Sequence, residues 1–264
     1  MDLKIYNLCS TMTRRFRYMT TDPKKKLYPE VRAGGYSRRD GIVEFYGRVN
    51  ALLTPEMIVL DYGAGRGRGN QEDQVLWRKN LRILRGKCKK VIGVDVDPAI
   101  NENPGLDEAR LLEEDGAIPL PAASVDLIIS DAVFEHLSNV EVVVSELSRV
   151  LKKGGWICAR TPNRFGYIGI GVNMVPNKLH VALLRYLQPQ RKPEDVFPTV
   201  YSLNTRRALL SKFPKSDWLH ASYGHYGEPA YFGTSIIAWW FVSLMQRITP
   251  RWFAPMLLIF VQKK

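Results

Sequence analysis

The sequence predicts an α/β domain in which a mostly parallel sheet carries helices on both faces. Three observations lead there. Short β-branched runs alternate with segments whose apolar residues recur every three or four positions. A glycine-dense loop, "DYGAGRGRG", follows the first such run, and acidic residues close the next ones, in "VIGVDVD" and "ARLLEEDG".

The elements follow in order. Residues 1–39 are basic and broken by turn signals such as "DPKKK" and "AGGYSRRD". From Asp40 to Leu53, Ile42, Val43, Tyr46, Val49 and Leu53 keep a helical period, with Asp40 or Ser37 as the cap and Pro55 as the stop. "MIVLDYG" is a buried strand, "QEDQVLWRKNLRIL" a helix turning Val75, Leu76, Leu81 and Leu84 inward, and "KVIGVDVD" a second strand. "ARLLEEDG" and "SVDLIISDAV" are the third and fourth strands. "NVEVVVSELSRVL" is a helix stopped by Gly154 and Gly155, and "GWICARTP" is the fifth strand. "SDWLHASYGHY" and "PMLLIFVQKK" complete seven, on either side of a Trp-rich helix.

Composition bounds the rest. A chain of 264 residues suits one domain with additions, divided here into a basic segment with a capping helix at 1–54 and a main domain at 55–264. A less patterned insert occupies 163–214, rich in Pro, aromatic and basic residues, including Arg164, Phe165, Tyr167, Arg185, Arg191, Lys192 and Tyr201. A net charge of +12 favours anionic partners. Cys9, Cys88 and Cys158 show no paired spacing, which speaks against a zinc site or disulfide framework and for a reducing cytoplasm. The first residues read as no signal peptide. The apolar run Ile236–Met245 is interrupted by Arg247, Pro250 and Arg251, short of the ~20 residues a span needs.

The glycine loop sits where open α/β sheets bind ligands, at a strand's carboxyl end. It lacks the Gly-Lys-Ser/Thr of a phosphate-cradling loop, and Arg68 stands where the dinucleotide fingerprint needs its third glycine. Asp95 lies where a carboxylate accepts both hydroxyls of a ribose. Asp115 can accept from an exocyclic amine while the backbone at Gly116 meets a purine edge, and Asp61 can orient backbone or an ammonium group. Together with backbone open to an amino-acid tail, these describe S-adenosylmethionine. Asp97, before Pro98, reads as a helix cap, and Arg66 and Arg68 as a solvated rim.

The run from about 58 to 163 resembles the class I, Rossmann-like S-adenosylmethionine-dependent methyltransferases, nearest the small-molecule branch that includes quinone-biosynthesis enzymes. The resemblance rests on "VLDYGAGRG", "VIGVDVDP", "EEDGAIPLPAASVDLIISDAVFEHL" and "ELSRVLKKGGWICARTPN", in the family's order; Lys153 departs from the usual proline. It implies a seven-stranded, mostly parallel sheet whose last two strands form an antiparallel hairpin. The cofactor set it suggests is Asp61, Gly63, Ala64, Gly65, Gly67, Asp95, Val96, Asp115, Gly116 and Ser130, with no metal. His136 is the candidate general base, with Glu135 beside it shaping the pocket or facing solvent and His180 a weaker alternative. The expected reaction is O-methylation of a small-molecule, glycan or sugar-derived acceptor, one that can be anionic. The insert's weaker resemblance points to surface-polysaccharide pathways. Two competing readings stand beside it: an RNA methyltransferase, disfavoured because "SDAV" replaces the Asn/Asp-Pro-Pro-aromatic of exocyclic-amine enzymes, and a lapsed S-adenosylmethionine-binding module. The Trp-rich helix is expected to pack its apolar face on the sheet or on a second copy, with peripheral membrane contact as the alternative.

Overall fold

The computed structural model describes residues 23–167, 170, 199–229 and 235–264. The leading basic residues, most of the insert, and with them Arg185, Arg191, Lys192 and His180, lie outside the described residues.

The described chain begins with α1 (Pro23–Leu27) and a 3-10 turn, Pro29–Arg32, each with proline in its first turn, where the missing N–H costs nothing. Helix α2 (Gly41–Leu52) follows, and its cap is Asp40, which accepts from the Ile42 and Val43 amides. Ser37 instead donates to Glu228. Then come β1 (Ile58–Tyr62), α3 (Arg68–Glu72), α4 (Leu76–Arg82), β2 (Lys90–Asp95), β3 (Glu108–Leu111), β4 (Val125–Asp131), α5 (Val140–Val150) and β5 (Leu151–Pro162). The chain closes with α6 (Arg206–Lys212), β6 (Trp218–His220), β7 (Tyr223–His225), α7 (Ile236–Ile248) and β8 (Met256–Lys263).

The sheet order is β3-β2-β1-β4-β5-β8-β6, with β7 also on β8. β1 to β5 pair in parallel, and β8 alone runs against its neighbours β5, β6 and β7. The eighth strand comes from an interruption of "SDWLHASYGHY". His220 pairs with Val261 and Tyr223 with Leu258, one continuous register, but between them the Phe260 amide donates to the Ser222 hydroxyl, and that hydroxyl shares the Phe260 carbonyl with the Ala221 amide. Side-chain bonding replaces one rung of the ladder.

Period-two alternation divides the strands between two cores. Leu60, Val94, Ile128, Ile157 and Ile259 face α5 and α6 on one side. Val59, Val91, Leu127, Cys158 and Phe260 face α2 and α4 on the other.

Three expectations are corrected. The helix foreseen over 71–84 is broken, because Asp73 turns its carboxylate onto the Val75 amide and onto Arg78 in two bonds. Leu81 and Leu84 are buried, but Leu76, at the break, is 66 % exposed. Gly154 and Gly155 do not end α5; they lie inside β5, where pairing slips from Val125–Leu151 to Leu127–Trp156. Gly154 takes a positive φ there, as a bulge allows. Finally, α7 does not lay its apolar face on the sheet. Trp240, Phe241 and Leu244 are exposed, and Gln246 is the helix's buried residue, held by Arg39. No helix among the described residues is long and apolar enough to cross a membrane.

Candidate active site

A cavity of about 990 Å³ opens at the carboxyl ends of β1, β2 and β4, within the size range of cofactor sites. Its floor is the glycine loop. Leaving β1, the Gly63 and Ala64 amides both donate to the Val94 carbonyl, at 2.8 and 3.3 Å, which ties the loop to β2. Gly65 has φ +50 and nothing within 4 Å of where a side chain would stand, so its backbone faces the cavity. At Gly67, φ +66, a Cβ would sit 2.2 Å from Asn103 Oδ1.

Asn103 is a residue that sequence reasoning missed. Nearly buried, it donates from Nδ2 to the Ala64 and Gly65 carbonyls, at 3.0 and 3.1 Å, and accepts the Gly105 amide at Oδ1. It clamps the loop from outside the motif. Only its place before "PG" marks it in the sequence, and that is a turn signal rather than a functional one.

Asp95, the last residue of β2, accepts the Gly65 amide at Oδ2 and the Asp97 amide at Oδ1, both at 2.9 Å. Each oxygen keeps a further lone pair, so the carboxylate is fixed in orientation yet free to accept two hydroxyls. Val96 beside it is 75 % exposed and lines the cavity with apolar surface. Asp97 caps the 3-10 turn Pro98–Glu102 through the Ala99 amide and lies 3.6 Å from Arg66, so this arginine is at the rim as expected. Asp115 accepts the Ala117 amide at Oδ1 and, with Gly116, forms the far wall.

A further wall comes from the end of β4. Asp131 and His136 both line the cavity. Between them Ala132 adopts φ +61, a conformation unusual for a residue with a side chain, held by its amide on the Arg160 carbonyl. His136 ends a 3-10 turn, Phe134–His136, whose other two residues are buried. Glu135 faces neither the cavity nor solvent. Its carboxylate accepts from Thr161 Oγ1 at 2.7 Å, Thr161 Oγ1 accepts from Asn204 Nδ2, and the Glu135 carbonyl accepts the Val200 and Tyr201 amides. Burial pushes the Glu135 carboxyl pKa up. This anchor fixes the histidine's backbone.

Of the foreseen residues, Gly63, Ala64, Gly65, Gly67, Asp95, Val96, Asp115, Gly116 and His136 share this one cavity. Asp61 and Ser130 stand behind its wall. Ser130 spends its hydroxyl on the Tyr62 carbonyl at 3.0 Å, joining β4 to β1. Asp61 turns to the α2 face, near Tyr46 and Asp131; desolvation there, and then the charges of Asp131 and Asp95, push its pKa up to about 7. Asp131 accepts from Arg160 at 2.7 Å and from the Tyr46 hydroxyl at 3.3 Å, which holds a carboxylate at the cavity wall. No group of metal-binding side chains occurs among the described residues.

Residues 60–159, from β1 through most of β5, match the methyltransferase-domain family. A relative from Mycolicibacterium smegmatis, described as a probable S-adenosylmethionine-dependent methyltransferase, is 33% identical over 112 residues, 41% of this chain and 39% of its own length. The malonyl-[acyl-carrier protein] O-methyltransferase 1 of Coxiella burnetii is 28% identical over 114 residues, 43% of this chain and 36% of the relative. The chain thus spans about two-fifths of the length of the curated relatives it matches. Among solved structures, an S-adenosylmethionine-dependent methyltransferase from Thermotoga maritima superposes with a TM-score of 0.51 at 17% identity, covering 86% of this chain and 91% of that one, a likeness of fold.

Proposed function

We propose, from the match of residues 60–159 to the methyltransferase-domain family and from the S-adenosylmethionine-dependent relatives, that this chain methylates an oxygen of a small-molecule or sugar-derived acceptor with S-adenosylmethionine as donor. The observation that carries the reading is a single cavity faced by the spare lone pairs of Asp95, the open backbone of Gly65 and the side chain of His136.

The residues present fit the cofactor. Asp95 would accept the ribose hydroxyls. Val96 and Leu112 give apolar surface for the base, and Asp115 keeps one oxygen for an exocyclic amine. The backbone from Gly63 to Gly65, which lines the cavity, would take the amino-acid end. When bound, S-adenosylmethionine supplies an electrophilic methyl carbon on a sulfonium.

The chain's own part is to orient, to exclude water and to take a proton. His136 would take the proton of a hydroxyl acceptor entering beside it, leaving that oxygen a lone pair for the methyl carbon that bound S-adenosylmethionine would supply, whose sulfur would keep the electron pair of the broken carbon–sulfur bond. Glu135, through Thr161 and Asn204, holds the turn that presents the imidazole. Asp131, paired to Arg160, fixes the opposite part of the wall. The choice of oxygen is supported by this histidine and by an O-methyltransferase among the relatives. The glycan class of acceptor rests on the sequence resemblance alone, because most of the insert lies outside the described residues.

Calorimetry with S-adenosylmethionine and its demethylated product, followed by a transfer screen on glycans, nucleotide sugars, quinone precursors and RNA, tests the proposal. His136→Ala should lower turnover by ~10²–10⁴ and leave cofactor affinity nearly intact. Full turnover in that variant would reduce His136 to a structural residue; no cofactor binding by the wild type would overturn the proposal as a whole.

A further inference from the structure

Helix α7 is amphipathic in the wrong sense for a helix of a soluble domain. Ile237, Trp240, Phe241, Leu244, Met245 and Ile248 recur at intervals of three and four, one continuous stripe, and every one of them is exposed. Ser243 and Gln246 point the other way, toward the protein. The stripe continues past the helix to Trp252, also exposed. A surface this apolar marks contact with something apolar.

Beside the stripe lies a second, small cleft of about 180 Å³, between α1 and α7. Arg38, Arg39 and Arg247 line it with Tyr28, Trp240 and Ser243. Two hydroxyls there lack a partner among the described residues: Tyr28 Oη, on a side chain only 3 % exposed, and Ser243 Oγ. Carboxylates nearby are already engaged, Glu30 with Arg38 and Glu228 with Lys24 and Ser37. Arg39 and Arg247 form no ion pair among the described residues. No acidic residue follows Glu228 in the chain. The cleft therefore offers guanidinium donors to an oxyanion, the chemistry of a phosphate.

We propose that α7 and this cleft form a docking surface for an anionic membrane, the stripe lying among acyl chains and the cleft holding a lipid phosphate. Apolar insertion and cationic attraction are the two terms interfacial helices combine, and here they are adjacent. The surface sits on the same edge of the sheet as the larger cavity. The 3-10 turn Arg251–Phe253 after α7 is tied by the Trp252 carbonyl to Asn163 Nδ2, directly past the carboxyl end of β5. A lipid-borne acceptor would thus meet the cavity from the docked side. The docking itself is independent of the methyl-transfer reading.

The test is co-sedimentation of the full chain with vesicles of phosphatidylcholine alone or mixed with phosphatidylglycerol, at low and at moderate salt. Binding to the mixed vesicles, weakened by salt and weak on phosphatidylcholine alone, is the expected result. Trp240→Ser with Phe241→Ser, and separately Arg247→Gln, should each lower partitioning about tenfold. Their melting temperatures and cofactor affinity should stay at wild-type values, which separates lost docking from lost fold. Three results would overturn the proposal: no binding to either vesicle, a dimer by light scattering that Trp240→Ser dissociates, or a melting temperature raised by inorganic phosphate through Arg247 without vesicle binding. The second would assign the stripe to another copy of the chain, and the third the cleft to a free anion.

Discussion

Asp95 shows how a single carboxylate is prepared for a ligand. Its two oxygens are each held by one backbone amide, from Gly65 and Asp97, so the group is oriented before anything binds. Asp95→Ala would remove the charge-assisted bonds proposed from this carboxylate to a ribose diol and should cost on the order of 1.5–3 kcal/mol of cofactor affinity, read by calorimetry. Wild-type affinity in that variant would move the ribose elsewhere. Gly65→Val should abolish binding, since its side chain would project into the cavity from a positive-φ position. Both positions were legible in the sequence because their roles depend on neighbours a few residues away or on an adjacent strand end. Asn103 was not legible, because its two acceptors are carbonyls nearly forty residues earlier.

At the scale of elements, capping and side-chain competition decide where helices begin and end. Asp40 starts α2 with one oxygen and binds Arg78 on α4 with the other, at 2.8 Å; Arg78 in turn chelates Asp73, the residue that breaks the helix before α4. The capping helix and the glycine-loop side of the sheet are thereby one unit. Asp40→Ala should destabilise by about 0.5–2 kcal/mol for the cap alone, measured as a shift in urea midpoint. Asp40→Asn keeps the capping oxygen and loses the charge toward Arg78, so its loss should be the smaller of the two. Equal losses would mean that the ion pair, and not the cap, holds α2. The break at Asp73 was missed because apolar spacing across 71–84 fits a helix, while the arginine that competes for the carboxylate acts through the fold.

For the whole molecule, the carboxyl edge of the sheet concentrates acids: Asp61, Asp95 and Asp131 come from three strands. Asp61 is the one whose pKa is raised, to about 7, by desolvation and then by the other two. A carboxyl raised in the folded state favours folding while protonated. Its contribution is whole below the unfolded value near 4 and is lost as pH rises through about 7. Asp61→Asn should remove that dependence, so the melting temperature of the variant relative to wild type should be higher at about pH 8 than at about pH 5. A difference independent of pH would show that Asp61 ionises as an ordinary surface acid.

The sequence by itself determined the alternation of strands and helices, the glycine loop, the Asp95 and His136 positions, the Asp40 cap and the absence of a spanning run at 236–245. Each of these is written in periodicity or in bonds between near neighbours, except His136, which the family resemblance marked. Tertiary structure decided which way side chains point. Asp61 is one residue from Tyr62, yet the pleat turns it to the α2 face and away from the cavity, and the hydroxyl of Ser130 is taken by a strand sixty-eight positions away. It also decided that the apolar side of α7 faces out. Periodicity shows that a helix has an apolar face, but only the partner on its other face, here Arg39 on Gln246, sets its rotation.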